Sequence, residues 1–292
     1  MTIAIFGTPY PEHFSKYIQH LIKKLEVEHV KIIVEEKFNN FLQKDIRFNK
    51  NIETFSSYEE LTNNAEFLFS IGGDGTLLKA VTYVRDSNIP IMGINTGRLG
   101  FISSISAGKI DDAINDILKN NFTINERTLL KLETNNNLFK EKNFALNEVA
   151  VSKKDTSSMI RIDAYVDNEF LNTYWADGLV VSTPTGSTGY SLSCGGPIIM
   201  PGTNNIIITP NAPHNLNVRP IVIDDNSVIK LKVEDRDKLA LISLDSRSRA
   251  FNSETELIIK VARFKIKLVQ PQNNSFTSTI RNKLMWGLDK RS

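Results

Sequence analysis

A carboxylate enclosed by glycines is the first candidate for chemistry. Asp74 lies in the segment Gly72-Gly73-Asp74-Gly75-Thr76, which follows the apolar run 67–71 and precedes a helical pattern over 76–84. A strand that leads through glycines into a helix turns backbone N–H groups and the positive helix end towards the connection, which favours a bound phosphate. The turn therefore predicts a phosphate site that contains one carboxylate. The alternative is a plain strand-to-helix turn in which Asp74 only caps the helix.

A second glycine-rich segment combines hydroxyl groups with an aromatic ring. It runs from Asp177 to Pro197 and reads Asp-Gly-Leu-Val-Val-Ser-Thr-Pro-Thr-Gly-Ser-Thr-Gly-Tyr-Ser-Leu-Ser-Cys-Gly-Gly-Pro. Hydroxyls, free amides and an aromatic face suit a ribose and a base, although a tight turn with ordinary Ser and Thr is the simpler alternative. Twelve of the 15 glycines fall within residues 72–100 and 178–202. Because glycine lets a backbone approach a ligand closely, the two clusters suggest one site between two domains.

Other nucleotide, metal and nucleophile motifs do not fit the sequence. There is no P-loop, and the partial Gly-x-Gly-x-x-Gly that begins at Gly73 has Leu78 in place of the third glycine. The three histidines of the first 30 residues lack metal-ligand spacing with a second ligand type. Cys194 has no histidine nearby in sequence, so we interpret it as a small packed residue rather than a nucleophile.

The N-terminal part of the chain alternates short apolar runs with helical patterns. Strands are predicted over 3–6, 31–34, 67–71 and 89–93, and helices over 14–25, 76–84 and 107–119. This alternation predicts an α/β domain with a largely parallel sheet over residues 1–121. A last helical pattern beyond Pro271, carried by Phe276, Ile280 and Leu284, is expected to return to this domain with residues 271–292.

After Asn121 the apolar residues recur with a period of two. Strands are predicted over 129–133, 160–166, 170–175, 179–182, 206–209, 228–233, 239–244, 257–261 and 264–269. The second domain, residues 122–270, should therefore be mostly β and sandwich-like. The predicted fold class is an α/β N-terminal domain joined to a mostly β C-terminal domain.

Composition and charge exclude several classes of protein. Hydrophobic residues make up 41% and charged residues 23% of the 292-residue chain, which is typical of a globular protein. The net charge of +2 is too small for a nucleic-acid-binding surface. The N-terminus has no basic segment followed by an apolar one, and the charge-free stretch 178–218 is too polar for a membrane span. With a single cysteine, these features predict a cytoplasmic protein with no membrane association.

Together the motifs resemble those of the NAD kinase family. The resemblance runs through Ile71–Thr76, Gly93–Phe101, Leu146–Val149, Asp177–Pro197, and Pro213-His214 followed by Arg219-Pro220, in that order and over most of the chain. Diacylglycerol kinases, sphingosine kinases and 6-phosphofructokinases share the Gly-Gly-Asp-Gly turn. The Thr-Pro-Thr-Gly-Ser-Thr-Gly-Tyr loop combined with Asn147-Glu148 is much more specific.

The resemblance implies transfer of the ATP γ-phosphoryl group to the 2′-hydroxyl of the adenosine ribose of NAD, which gives NADP. Asp74 would activate that hydroxyl, and Mg²⁺ would arrive with ATP rather than in a dedicated metal site. Phosphoryl transfer mainly needs alignment, charge neutralisation and a base near the acceptor, so one carboxylate in a glycine turn is adequate. The turn glycines Gly72 and Gly73, with Thr76, would hold phosphate.

The family pattern also implies substrate contacts. Asn147 and Glu148 would bind the dinucleotide, Asp177 would lie near the nicotinamide, and Lys79 could face a phosphate. Further NAD contacts are implied for Gly75, Thr185, Thr188, Gly189, Tyr190 and Ser191, with Arg247 and His214 as weaker candidates. Many relatives carry Ala where this chain has Gly189. For Lys79 the alternative is a solvated helix side chain, and for His214 a hydrogen bond to a loop carbonyl.

Two rival functions stay open at this point. A lipid or sugar kinase could use the same turn, but a lipid substrate calls for an exposed apolar entrance, whereas the second cluster is rich in hydroxyls. A non-catalytic dinucleotide sensor would keep Asn147, Glu148 and Asp177 but would not need Asp74. Since NAD kinases assemble as dimers or tetramers, the resemblance also implies a homo-oligomer.

Overall fold

The computed structural model describes residues 1–49, 51–97, 100–103, 105–154, 159–234, 239–270 and 275–285. The chain divides into two compact units. The first unit comprises Met1–Glu126 and Ile266–Ser292, and the second comprises Arg127–Lys265. Each unit has a hydrophobic core of its own.

The first unit alternates strands and helices. Its strands are β1 (Thr2–Gly7), β2 (Lys31–Glu35), β3 (Glu53–Phe55), β4 (Phe67–Ile71) and β5 (Ile91–Ile94). Its helices are α1 (Ser15–Val27), α2 (Glu36–Leu42), α3 (Tyr58–Asn64), α4 (Asp74–Val84), α5 (Ile110–Leu118) and α7 (Phe276–Leu284), with short 3-10 turns before α1 and α5.

The sheet of the first unit is parallel in the order β5-β4-β1-β2-β3. Its central strand β1 pairs through Ile5 with Val34 on one side and with Phe69 on the other. At the β5 edge, Leu268 from the C-terminal part of the chain pairs in parallel with Ile91. This topology places the turn after β4 at the carboxyl end of the strands, where α/β sheets bind ligands.

Apolar residues at helical spacing pack the helices against this sheet. Ile18, Leu21, Ile22 and Leu25 of α1 are fully buried, as their spacing predicts. They share one core with residues of α2, of α5 and of strands β1, β2, β4 and β5. Burial of this kind contributes roughly 1.5–3 kcal/mol for each large aliphatic side chain.

The second unit consists mainly of antiparallel strands. They are β6 (Thr123–Thr134), β7 (Phe144–Ala145), β8 (Glu148–Lys153), β9 (Ile160–Val166), β10 (Glu169–Ala176), β11 (Gly178–Ser182), β12 (Asn205–Asn211), β13 (Ile221–Asp224), β14 (Ile229–Glu234), β15 (Leu239–Leu244), β16 (Arg247–Asn252) and β17 (Leu257–Gln270), and α6 (Tyr190–Ser193) follows β11. The ends of β6 and β17 belong to the first unit.

Two layers of strands enclose the core of the second unit. One layer has the order β10-β9-β14-β17, and the other has the order β13-β12-β11-β8-β15-β16. Every second side chain of a strand points into the space between the two layers. Ile160 and Ile162 of β9 thus share one buried cluster with Val149 and Val151 of β8. The predicted fold class, an α/β unit and a mostly β sandwich-like unit with a final helix in the first unit, is confirmed.

Several elements differ from those predicted. The runs 257–261 and 264–269 form one strand, because Ala262 and Arg263 continue the extended chain without a turn residue. Helix α4 begins at Asp74, two residues earlier than expected. The short elements α2, β3 and α3 were not predicted, nor was α6 within the second glycine cluster. None of the helices in the described ranges is long and apolar enough to cross a bilayer.

Candidate active site

The Gly-Gly-Asp-Gly turn connects β4 directly to α4. Gly73 is the N-cap residue, and Asp74 is the first residue of the helix. Gly72 has a φ of +150°, and a Cβ there would lie 2.2 Å from Oγ1 of Thr76. The Thr76 hydroxyl also hydrogen-bonds the Thr8 hydroxyl at 2.8 Å. The turn therefore requires glycine at position 72, where Thr76 fills the space that a side chain would need.

The Asp74 carboxylate does not cap its own helix. It accepts hydrogen bonds from the backbone N–H groups of Phe101 to Oδ2 at 2.8 Å, and of Ile102 and Ser103 to Oδ1 at 3.3 and 2.9 Å. These donors lie in the loop after β5, so the alternative in which Asp74 only caps α4 does not describe the geometry. Arg98 and Leu99 of the same loop, part of the family motif, lie outside the described residues.

Open space adjoins the turn on the glycine side. A Cβ at Gly73 or at Gly75 would meet no atom within 4 Å. At the start of α4 the N–H groups of Asp74 and Gly75 have no intrahelical acceptor and carry the positive end of the helix dipole, whereas the Thr76 N–H donates to the Gly73 carbonyl at 3.0 Å. Lys79 follows on the same helix, is exposed, and forms no ion pair with any described residue. The turn thus has room and favourable electrostatics for an anionic ligand.

In the second unit, a buried aspartate holds the Asn147-Glu148 pair. The backbone N–H groups of Leu146, Asn147 and Glu148 donate to the Asp245 carboxylate at 3.0, 2.8 and 3.3 Å. In return, the Asp245 N–H donates to the Glu148 carbonyl at 3.0 Å. The side chain of Asp245 is only 2% exposed. The entry into β8 is therefore fixed by four hydrogen bonds to one residue.

Glu148 is a buried carboxyl with an unused hydrogen-bonding atom. It is 8% exposed, and its pKa is raised from 4.5 to about 7, first by burial and then by the negative charge of Asp245, while the Tyr190 backbone N–H lowers it. Among the described residues, neither Glu148 Oε2 nor Asn147 Oδ1 has a hydrogen-bond partner. Buried polar atoms are normally paired, so this pair is set up to meet a ligand.

Two glycines of the second cluster lie against this pair. A Cβ at Gly186 would be 2.0 Å from the Asn147 carbonyl oxygen. A Cβ at Gly189 would be 3.0 Å from Glu148 Oε2 and 3.3 Å from Asn147 Nδ2. Thr183 completes the connection, since its hydroxyl donates to the Leu146 carbonyl at 2.7 Å and accepts the Gly186 N–H at 3.0 Å. The structure thus brings Asn147, Glu148 and the glycine cluster together.

The hydroxyl side chains of the second cluster differ in exposure. Tyr190, at the start of α6, is 40% exposed, and its hydroxyl accepts from Asn211 Nδ2 at 2.9 Å. Ser191 is buried and hydrogen-bonds the Thr209 hydroxyl at 2.9 Å. Thr185 is buried as well, and the hydroxyl of the partly exposed Thr188 donates to the Thr185 carbonyl at 3.3 Å. Tyr190 and Thr188 therefore offer the more accessible groups.

Asp177 precedes β11 and forms an ion pair. Its Oδ1 lies 2.6 Å from Lys153 Nζ, and both side chains are partly exposed. The two residues are also joined through their backbones, where the Lys153 N–H donates to the Asp177 carbonyl at 3.0 Å. The carboxylate therefore has a cationic neighbour at the edge of β8 and β11.

The two weaker candidates lie in different surroundings. Arg247, on β16, donates to the carbonyls of Lys142 and Phe144 and lies 3.9 Å from Asp245, so its guanidinium is engaged within the fold. His214 lines a cavity of about 840 Å³ with Arg219 and Tyr174. The described lining of that cavity contains no residue of the second glycine cluster. Cys194 is partly buried, and burial raises its pKa, which fits a packed thiol.

Sequence reasoning missed the groups that hold the candidate carboxylates in place. The loop 100–103, whose N–H groups bind Asp74, carries a glycine and part of the family motif, but neither feature predicts that it holds Asp74. The family resemblance points to Arg247 and gives no role to its neighbour Asp245. The hairpin turn at Asp245-Ser246 had little signal, because only the run 239–244 before it is predicted as a strand and residues 247–252 show no apolar alternation.

Comparisons with known proteins agree with this architecture. The model of the ATP-NAD kinase N-terminal domain matches residues 3–122, and that of the ATP-NAD kinase C-terminal domain matches residues 146–271. The chain is 46% identical over 294 residues to an NAD kinase of Christiangramia forsetii and 48% identical over 294 residues to one of Flavobacterium johnsoniae, with 100% of each chain covered.

Solved structures show the same fold. An NAD kinase from Archaeoglobus fulgidus in complex with ATP has a TM-score of 0.73 at 25% identity, with 98% of both chains covered. Yeast NADH kinase complexed with NADH has a TM-score of 0.88 at 23% identity and covers 99% of this chain and 89% of its own, which supports the fold alone. The lipid-kinase, sugar-kinase and sensor alternatives find no support in these matches. The chain therefore belongs to the ATP-dependent NAD kinase family.

Proposed function

We propose that this enzyme transfers the γ-phosphoryl group of ATP to the 2′-hydroxyl of the adenosine ribose of NAD, with Asp74 as the base and Asn147 and Glu148 as dinucleotide ligands. The observation that carries this assignment is the buried pair of unpartnered atoms, Asn147 Oδ1 and Glu148 Oε2. An amide and a carboxyl side by side can donate and accept hydrogen bonds at once, which suits a ribose or a base edge.

The geometry of Asp74 supports its role as the base. Two carboxylate oxygens offer about four lone-pair sites, and three backbone N–H groups occupy two sites on Oδ1 and one on Oδ2. One acceptor site on Oδ2 is left for a hydroxyl. The loop donors fix the carboxylate, while the remaining site accepts the 2′-hydroxyl proton as the phosphoryl group is transferred.

The remaining residues of the proposal bind and orient the substrates. Gly72, Gly73 and Thr76 form the phosphate turn, Gly75 contacts NAD, and Lys79 contributes positive charge on the same helix. Gly189 and Tyr190 lie beside Glu148, and Thr185, Thr188 and Ser191 are assigned to the same set of NAD contacts. Asp177 is assigned to the nicotinamide end of NAD. Arg247 and His214 stay weaker candidates, because Arg247 is engaged with carbonyls and His214 lines a different cavity.

Mg²⁺ fits this site as an ion brought by the triphosphate. Among the described residues there is no group of three or more His, Cys, Asp or Glu side chains that could form a metal cage. Magnesium commonly keeps several waters and binds through substrate phosphates, so Gly72, Gly73 and Thr76 would hold the ion indirectly, through the phosphates that carry it, while the free acceptor site of Asp74 serves the 2′-hydroxyl. When bound, the ion neutralises charge on the phosphates, whereas proton removal and alignment fall to this chain's own residues.

We also infer a cytoplasmic location and a homo-oligomeric state. The single cysteine, Cys194, fits a reducing compartment. Self-association is supported by membership of the family and by several large apolar side chains on the surface of the second unit, such as Phe170, Trp175 and Leu216. The proposed ligands are NAD and ATP, with no nucleic acid or membrane as partner.

The direct test is a reaction of the purified protein with ATP, Mg²⁺ and NAD, followed by enzymatic detection of NADP. We expect NADP to form in proportion to the ADP released. A matched reaction with NADP in place of NAD should release no ADP, because its 2′-hydroxyl is already phosphorylated. Absence of NADP at saturating substrate concentrations would contradict the proposal.

A further inference from the structure

Two hairpins of the second unit use the same aspartate turn. Asp167 occupies the two-residue turn between β9 and β10, and Asp245 occupies that between β15 and β16. Both residues have a φ of +52°, a conformation that Asp tolerates better than most residues do. Each turn is therefore built around a left-handed aspartate.

Each aspartate also forms a reciprocal pair of hydrogen bonds with a neighbouring segment. The Asp167 N–H donates to the Val228 carbonyl at 2.9 Å, and the Val228 N–H donates to Asp167 Oδ1 at 2.8 Å. The Asp245 N–H donates to the Glu148 carbonyl at 3.0 Å, and the Glu148 N–H donates to Asp245 Oδ1 at 3.3 Å. Each of the two aspartates therefore ties its hairpin turn to a neighbouring segment.

Asp245 differs from Asp167 in what else its carboxylate binds. It accepts two further N–H groups, from Leu146 and Asn147, and its side chain is almost completely buried. Asp167 is exposed, and its partner Val228 is remote from the candidate site in sequence. Three consecutive amides that converge on one buried carboxylate fix the backbone from which the Asn147 and Glu148 side chains project.

We propose that Asp245 is a positioning residue of the dinucleotide site: it fixes the backbone from which the Asn147 and Glu148 side chains project, and it places a second carboxylate near that of Glu148. This inference rests on the proposed function, since it assigns a role within the same NAD site. Asp245 itself touches neither substrate nor reacting atoms and acts through the two side chains that it aligns.

The charged surroundings of Glu148 are consistent with this role. Burial is the main cause of the raised pKa of Glu148, the charge of Asp245 raises that pKa further, and the Tyr190 backbone N–H lowers it. The Tyr190 hydroxyl and the Cys194 thiol also face Glu148, and both have raised pKa values, so they stay neutral near pH 7. Arg247 stands behind Asp245 at 3.9 Å. A neutral Glu148 donates a hydrogen bond to its ligand, whereas an ionised Glu148 can only accept.

The test compares Asp245→Asn with Asp167→Asn as the matched control. Both changes replace a left-handed turn aspartate by the residue that best tolerates the same backbone, and both remove one charge. Two quantities are measured in each variant: the Kd for NAD by calorimetry at several pH values, and the titration of the Glu148 carboxyl carbon by NMR in the ligand-free protein.

We expect Asp245→Asn to raise the Kd for NAD by about ten-fold or more, because hydrogen bonds to a charged acceptor are lost, and to shift the Glu148 titration to lower pH. Asp167→Asn should change the Kd by less than about two-fold, as surface substitutions usually do, and leave that titration in place. An unchanged Glu148 titration, or an equal effect of both variants on the Kd, would overturn the proposal.

A second variant and the ligand-free titration separate the role of Asp245 from misfolding and from a failure of NAD binding. If Asp245→Asn does not fold, Asp245→Glu keeps the charge with a longer side chain, and we expect a weaker NAD affinity with a Glu148 titration that stays near its original pH. Unchanged NAD affinity in that variant would contradict the positioning role. The NMR titration needs no NAD, so a wild-type protein that fails to bind NAD would overturn the proposed function while the effect of Asp245 on Glu148 is still decided.

Discussion

Gly100 and Asp74 are so close that a Cβ at Gly100 would lie 1.8 Å from Oδ1 of Asp74. Position 100 therefore excludes every side chain as long as the carboxylate keeps its place. Since Gly100 opens the loop whose N–H groups bind Asp74, the same few residues both hold the carboxylate and leave room for it.

Substitution of Gly100 by Ala should displace the Asp74 carboxylate. A misplacement of about 1 Å can cost about a hundred-fold in rate, so we expect kcat to fall by about that factor. Gly108→Ala is the control, because a Cβ there meets no atom within 4 Å, and its kcat should match that of the wild type. Steady-state kinetics of the two variants check this, and a fully active Gly100→Ala would show that the observed carboxylate position is not needed for turnover.

Asp74→Asn removes the proposed base while it keeps the shape of the side chain. General-base assistance is worth ~10²–10⁴-fold, so kcat should fall by about that factor while the Kd for NAD stays within a few fold. Asp112, an exposed residue in the first turn of α5, provides the control Asp112→Asn. Single-turnover kinetics and binding calorimetry separate the two effects. An unchanged kcat in Asp74→Asn would contradict the role of Asp74 as the base and leave it only the structural role of holding the loop after β5.

The two glycines beside Asn147 should respond differently to Ala. At Gly186 the added methyl would lie 2.0 Å from a backbone carbonyl oxygen, which cannot move aside, so we expect a loss of about 1–3 kcal/mol in the free energy of unfolding. At Gly189 the nearest atom is the flexible end of Glu148 at 3.0 Å, and the variant should stay close to wild-type stability. Urea denaturation measures both. A greater loss of stability at Gly189 than at Gly186 would contradict the packing described here.

Glu148 should make the stability of the protein depend on pH. Its pKa is raised from 4.5 to about 7, so between these values the folded protein binds more protons than the unfolded chain, and the free energy of unfolding falls as the pH rises. The change attributable to Glu148 is roughly 3 kcal/mol between pH 4.5 and pH 7. Urea denaturation across this range should show a smaller loss for Glu148→Gln than for the wild type. Parallel curves for the two proteins would argue against a buried, proton-binding Glu148.

Removal of Mg²⁺ should stop the reaction without unfolding the protein. A chelator takes away the ion that accompanies ATP, whereas the described residues contain no carboxylate or histidine cluster that would depend on a metal for folding. We expect turnover to cease and the Tm to change by less than the error of calorimetry. A Tm that collapses in the chelator would indicate a structural metal instead.

Local patterns in the sequence account for much of the fold. The four buried residues of α1 follow helical spacing, and the short apolar run 67–71 matches β4. The missed helix α3 also had a signal, since Ser57 is its N-cap residue: the Glu60 N–H donates to Ser57 Oγ. The sequence pattern predicts two strands in place of β17, because Ala262 and Arg263 interrupt the apolar alternation. In the structure the chain continues through both residues without a turn.

The candidate site was harder to predict from the sequence, because the residues that hold its side chains in place lie far from them along the chain. Glycine placement and the family motifs indicated Asp74, Asn147 and Glu148. Their partners come from elsewhere: the donors to Asp74 lie 27–29 residues away, and Asp245 lies 97–99 residues from the amides that it binds. Periodicity reports which face of an element is buried, but it carries no information about such pairings.

The return of the C-terminal segment to the first unit affects how the protein folds as it leaves the ribosome. Leu268 pairs with Ile91 at the β5 edge, and Val269 joins the core of that unit. Ile105 pairs with the Ile94 end of this edge. Until the C-terminal residues have been synthesised, the Ile91 end lacks its partner, and such unpaired edges are where partly made sheets aggregate. The second unit is one continuous segment and is complete at Lys265. The nascent chain can therefore finish its second unit before its first, so its order of folding reverses its order of synthesis.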